Sequence, residues 1–246
     1  MSTPTAIKER PILFSGAMVR AILRGENPKT QTRRVIKLPS WSTKNWDDFE
    51  TDGKEAQIIC ANTGCLASIP CPYGKAGDRL WVRETWSPVQ PTASGELAYD
   101  GARLIELDGY PIEVWYRADG EMGILCQADP EGPRWKPSIH MPRKVGRITL
   151  EVAQVRVERL QDISEEDAIA EGVAFENPSP DINPNFRRWF DYQGKEYGFS
   201  SPVWSFRSLW DSINGKTYPW ESNPWLRVVE FKRIDGAIAA QTEVKL

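Results

Sequence analysis

The sequence predicts an α+β fold, a small β-barrel pattern with flanking helices, enlarged by loop-rich insertions. Three observations carry that expectation. Strand-like segments recur at "GDRLWV", "YPIEVWYRAD", "RITLEVAQVRVERL" and "NPWLRVVEFKRI". Helical spacing of apolar residues occurs early, in mid-chain and late. Between these segments, residues 38–72, parts of 88–146, and 173–199 keep no sustained period and read as insertions. A chain of 246 residues, 40% hydrophobic and 26% charged, can bury a core without disulfides or metal, so a single domain over 1–246 is expected.

Residues 1–11 read as an extended arm. Ser15 can cap a helix whose apolar positions Met18, Val19, Ile22 and Leu23 share one face, with Gly25 as the stop. Pro28 turns Asn27 away from helix, and a short strand follows. In it Thr30, Thr32 and Arg34 point to one side and Gln31, Arg33 and Val35 to the other. Gly77-Asp78 forms a turn into a strand with Leu80 and Val82 on one face, while 88–110 looks loop-like. In the strand from Ile148, Leu150 and Val152 alternate, and Val155 and Val157 resume after a slip of one position at Ala153-Gln154. "DISEEDAIAEG" predicts a short helix with Ser164 at the N-cap, Asp167 three residues on and Gly172 as the stop. Phe206, Leu209, Trp210 and Ile213 form the stripe of a third helix, closed by Asn214-Gly215. The tryptophans Trp81, Trp86, Trp204 and Trp210 are expected in the core, with Trp81 or Trp86 available to wall a pocket.

Composition removes several classes. With a net charge of −3 and a pI of about 5.5 there is no global basic field, so any contact with nucleic acid must come from a local patch. No apolar run is long enough to span a bilayer, so no membrane partner is expected. "MSTPTAIKER" lacks the apolar core of a signal peptide. Four cysteines without a repeating framework agree with the cytoplasmic location this implies. No GxGxxG, P-loop or paired-carboxylate metal motif occurs.

The segment "NPKTQTRRVIK", residues 27–37, gathers Lys29, Thr30, Thr32, Arg33 and Arg34 around Gln31. K-T-x-T-x-R describes a solvated surface strand as well as it describes a site. Four pieces in order, "AILRGENPKTQTRR", "GDRLWV", "ITLEVAQVRVERLQDISEEDAIAEG" and "NPWLRVVEF", resemble the ASCH domain of the PUA-like superfamily, small β-barrels that handle RNA and modified nucleobases. The arrangement of "YGKAGDRLWVRETW" and "PSIHMPR" is similar to ASCH-type proteins of phages and prophages. The resemblance implies a PUA-like barrel and a modified nucleoside or RNA as partner. It also implies an amidohydrolase activity on N4-acetylcytidine that uses a lysine, a threonine and a glutamate, here Lys29, Thr32 and Glu171. The chain departs from the small enzymes by an expansion at Asn27-Pro28, by Gly172 directly after the glutamate, and by its insertions. A binding module without turnover would use the same residues, and some ASCH proteins are ribonucleases.

The chemistry is coherent without any cofactor. A threonine hydroxyl needs a base, and a lysine serves as one when burial or neighbouring cations lower its pKa. Arg33 and Arg34 are such cations. Glu171 falls in the last turn of its helix, where the macrodipole disfavours a carboxylate and favours a group able to hand over a proton.

A second candidate is "RWKPSIHMPRKVGR", residues 134–147, which holds Arg134, Lys136, His140, Arg143, Lys144 and Arg147 with no acidic residue. With Trp135 as a stacking ring this composition suits phosphate contact, and it equally suits a solvated basic loop. His140 is the only histidine, so a Ser-His or Cys-His pair could form only through it. Cys60, Cys65 and Cys71 have a C-x4-C-x5-C spacing that Cys126 or His140 could complete as a zinc site, although the spacing is not that of a standard knuckle.

Overall fold

The computed structural model describes residues 6–37, 48–51, 55–59, 66–89, 103–107, 109–120 and 134–234. In chain order the elements are β1 (Glu9–Leu13), α1 (Gly16–Leu23), β2 (Gln31–Val35), β3 (Asp48–Thr51), β4 (Glu55–Ile59), β5 (Leu66–Pro70), β6 (Arg79–Arg83), β7 (Trp86–Val89), β8 (Arg103–Leu107) and β9 (Tyr110–Tyr116). There follow β10 (Thr149–Arg159), α2 (Glu165–Ala170), β11 (Phe175–Glu176), β12 (Arg188–Trp189), α3 (Pro202–Asn214) and β13 (Trp225–Ile234). The fold class is α+β. Among the described residues no sheet closes on itself as a barrel. No described helix is long and apolar enough to cross a membrane.

The chain divides into two compact units, Met1–Arg20 with Asp78–Glu151 and Arg233–Leu246, and Ala21–Gly77 with Val152–Lys232. In the first, β1 runs parallel to β6, with Pro11 opposite Trp81, and β6 pairs antiparallel with the start of β10. The stretch expected as a plain arm is therefore in part a strand. Pro11 is tolerated because β1 lies at the sheet edge, where a missing N–H costs little. A second sheet has the order β7-β9-β8, which places strands in part of the 88–110 stretch expected to be loop. Trp81, Trp86, Val114, Tyr116, Met141 and Val145 form this unit's core.

In the second unit β13 lies between β10 and β2, and β13 pairs antiparallel with β2. The 38–72 insertion contains the antiparallel set β3-β4-β5, and the 173–199 insertion the short pair β11-β12. Ser164 caps α2 by accepting the Asp167 backbone N–H at 3.1 Å. Ala153 and Gln154 are consecutive exposed residues between buried Val152 and Val155, as the slip in the alternation requires. Phe206 and Trp210 of the α3 stripe pack with Trp189, Trp220, Leu160 and Leu226, whereas Ile213 at the stripe's end is exposed. Trp81, Trp86 and Trp210 are core residues as expected. Trp204 is not: it is 52% exposed.

Candidate functional site

The site is assembled by backbone contacts around the start of β2. Asn27 adopts a left-handed conformation (φ 46°), which asparagine accepts more readily than most residues, and Pro28 then fixes an extended exit. The Lys29 N–H donates to the Ala21 carbonyl in α1 at 2.9 Å. The Thr30 N–H donates to the Ala170 carbonyl in α2 at 2.9 Å, and the Thr30 carbonyl accepts the Phe231 N–H of β13 at 2.8 Å. Gln31 then donates its side-chain amide to the Asp167 carbonyl at 2.8 Å. Lys29 and the C-terminal end of α2 are in this way locked together, although 142 residues separate Lys29 from Glu171.

Lys29 is buried, and its Nζ donates to Glu171 Oε2 at 2.6 Å and to the Glu171 carbonyl at 2.7 Å. Arg33, on the β2 face that meets α2, reaches Glu171 Oε1 at 3.4 Å, Asp167 Oδ2 at 2.7 Å and Glu158 Oε2 at 3.1 Å. Arg156 extends the array. Its Nη2 donates to both Asp167 oxygens, at 2.9 and 2.8 Å, and its other nitrogens engage Glu158 and Glu230. Burial pushes the Lys29 amine below the ordinary lysine value, and the Arg34 and Arg33 guanidiniums act in the same direction against the pull of Glu171. Burial pushes the Asp167 carboxyl upward, but Arg33 and Arg156 outweigh it and hold that group below its ordinary value. The result is a buried lysine tilted toward its neutral form, in contact with a carboxylate that a second cation also holds.

The structure thus brings Lys29 and Glu171 together with Arg33 between α2 and β10 carboxylates. Thr32 is buried at 2% exposure opposite Val229, and no hydrogen bond joins it to Lys29 or Glu171. Thr30 is exposed, and Arg34 is half-buried. Arg33, expected to be available for phosphate, has a side chain only 1% exposed, with both terminal nitrogens on carboxylates. Asp167, Glu158, Arg156 and Glu230 were not singled out as site residues. The i, i+2 pair Arg156 and Glu158 on one strand face was the signal that could have found two of them.

Arg134, Trp135, Lys136, Arg143 and Lys144 belong to the first unit. Arg143 makes a bidentate ion pair with Glu9, both contacts at 2.8 Å, so it is not open to phosphate. Lys136 and Lys144 are exposed, as is His140. The Lys136 ammonium lies 5.1 Å from the Trp86 ring centroid, and the Arg117 guanidinium 5.9 Å from that of half-buried Trp135. Cys71 is buried, Cys60, Cys65 and Cys126 lie outside the described residues, and no cluster of metal-ligating side chains occurs among the described ones.

Gly172 explains one of the departures in the motif. It ends α2 at φ +87°, and a Cβ there would sit 2.9 Å from Lys29 Cβ and 3.0 Å from Ala21 Cβ. Gly172→Ala is therefore expected to destabilise the fold by roughly 2 kcal/mol, read by urea unfolding. A change below about 0.5 kcal/mol would show that neither the strain nor the crowding matters.

The chain matches no protein-family model, and no curated protein or solved structure shows significant similarity to it.

Proposed function

We propose that the protein is an amidohydrolase of ASCH type, built on a PUA-like barrel, that removes the acyl group from a modified nucleoside resembling N4-acetylcytidine without a metal. The observation that carries this reading is the Lys29–Glu171 contact. Two residues picked from motif positions far apart in sequence meet at 2.6 Å, with the lysine amine shifted toward the neutral form a base requires. Neutral Lys29 accepts the Thr32 hydroxyl proton as Thr32 Oγ1 attacks the acyl carbon. Collapse of the tetrahedral adduct breaks the C–N bond, and Glu171 passes the proton from Lys29 to the departing nitrogen, leaving cytidine and an acyl-threonine ester. Water, deprotonated by Lys29, then cleaves that ester to acetate and restores Thr32. Gln31 and Arg33 take the β2 face that meets α2, so Thr32 lies on the other face, and this reaction requires β2 to rearrange in the substrate complex to bring the Thr32 hydroxyl to the Lys29 amine.

The test is chromatography of purified protein with N4-acetylcytidine, run beside Thr32→Val, an isosteric variant suited to a buried site. Equal cytidine and acetate are expected from the wild type, with a loss of about 10²-fold or more in the variant. No cytidine from folded wild-type protein would end the hydrolase reading. The pH profile is a second check. The reactive amine is the neutral one, so the rate rises with pH through the pKa of Lys29. Its midpoint is expected below the ordinary lysine value of 10.5, and a midpoint at or above that value would remove Lys29 from the role of base.

A second reading, an RNA or modified-base reader without turnover, is favoured by the exposure of Lys136, His140 and Lys144 in the segment that also carries half-buried Trp135. It predicts binding to polynucleotide that falls steeply with salt. Shortening of the RNA in the same assay would instead identify a ribonuclease.

A further inference from the structure

The second unit carries a concavity that the hydrolase reading does not use. The loop 191–199 and α3 line a cavity of about 520 Å³, with Phe199 and Trp204 among its lining residues. The Asp191 carboxylate fixes the loop by accepting backbone N–H groups from Gln193 at 2.9 Å and from Lys195 and Glu196 at 2.7 Å. Ser208 Oγ accepts the Tyr192 N–H at 3.0 Å, and Ser205 Oγ donates to the Phe190 carbonyl at 2.6 Å, which ties the loop to α3. At the far end of α3, Asp211 accepts the Trp220 N–H at 2.9 Å. Against this fixed frame Trp204 leaves half its surface in water. An indole kept exposed in a preformed concavity is the signature of a contact surface.

Charge decides what the surface accepts. The lining carries four carboxylates, Asp191, Glu196, Asp211 and Glu221, against two cations, Lys195 and Arg207. Arg207 is held by Glu221 at 2.5 Å, with its guanidinium 5.1 Å from the Trp204 ring centroid. The indole already receives a guanidinium, and two negative charges remain in surplus. Phe190, which precedes the loop, and Tyr197 within it are also exposed.

We propose that this surface docks a basic segment of a partner protein, laying an arginine or lysine side chain against Trp204 with its charge met by the surplus carboxylates. Cation–π contact and charge complementarity act together there. A polynucleotide meets the opposite field, because its phosphates would face the negative excess.

The experiment is fluorescence anisotropy at about 150 mM salt. The probes are a labelled peptide of alternating arginine and glycine, its glutamate counterpart, and an oligouridylate. The variants are Trp204→Ala and Glu196→Lys. Glu106→Lys, an exposed change of equal charge in the first unit, is the control, and circular dichroism establishes that each variant is folded. Binding of the arginine peptide alone is expected, weakened roughly tenfold by either variant and within about twofold for the control. The proposal is overturned if the arginine peptide does not bind. It is equally overturned if Glu106→Lys weakens binding as much as Glu196→Lys, or if oligouridylate binds and Trp204→Ala abolishes that. The assay uses no acylated nucleoside, so its outcome is independent of the hydrolase reading.

Discussion

Lys29→Met is expected to destabilise the protein by about 3 kcal/mol at neutral pH and to abolish turnover of the acylated nucleoside. The lysine is buried against Glu171 at 2.6 Å. Its removal leaves a buried carboxylate whose remaining cation, Arg33, is more distant at 3.4 Å. A carboxylate taken out of water without a close partner is costly, whereas exchanging both partners for apolar groups is often neutral. The double variant Lys29→Met/Glu171→Leu is therefore expected to return to within about 1 kcal/mol of the wild type, because Arg33 keeps Asp167 and Glu158. Urea unfolding of the two single variants and the double gives the coupling energy directly. Turnover separates the two uses of the pair. A folded double variant with no activity assigns the pair to the chemistry, and one that still forms cytidine reduces it to a clasp between β2 and α2. A single Lys29→Met variant as stable as the wild type would show that no charge is trapped there.

The parts of this fold legible in the sequence are those whose physics is local. Ser164 and Gly172 bound α2 because a hydroxyl satisfies an orphan N–H at one end and a left-handed glycine stops the other. Trp204 falls outside the spacing of Phe206, Leu209, Trp210 and Ile213, so its exposure was readable from the helix stripe although the tryptophan count pointed to core. What was not legible depends on distant partners. "ERPIL" has a proline and two charges and no strand period, and it is a strand because β6 offers it an edge. The strands β3 to β5 sit in a segment without alternation, so their pairing could not be read from it. The candidate site divides in the same way. Lys29 and Glu171 were reachable through motif positions, but Arg33 in "RR" looks like a phosphate contact until register and tertiary packing surround it with Asp167, Glu158 and Glu171. Nothing in the composition of a strand says which carboxylate, over a hundred residues away, will face it.

In the first unit the largest expected effect is at Arg147. Its guanidinium donates to Glu84 at 2.9 and 3.1 Å and to Asp119 at 2.8 and 2.7 Å, and lies 4.0 Å from the Tyr116 ring centroid. Glu84 is 1% exposed. Burial pushes its carboxyl above the ordinary 4.5, and Arg147 only partly offsets that shift. Arg147→Met removes the offset, strands Glu84 and is expected to cost about 3–5 kcal/mol at neutral pH, a drop in Tm of roughly 10 °C for a chain of this size. The sign with pH follows from the raised carboxyl. Below 4.5 Glu84 is protonated in folded and unfolded chains alike, and a neutral carboxyl is cheaper to bury. As pH rises through 4.5 the unfolded chain loses the proton first and both proteins lose stability together. The gap between them opens above the wild type's raised folded pKa, grows until pH passes the variant's still higher one, and then stays level. Calorimetry should therefore find a smaller gap between variant and wild type at pH 5 than at pH 8. Glu84→Gln in the variant background should recover much of the loss at pH 8 and little at pH 5. A gap of equal size at both pH values would mean that Arg147 stabilises by packing on Tyr116 rather than by neutralising Glu84.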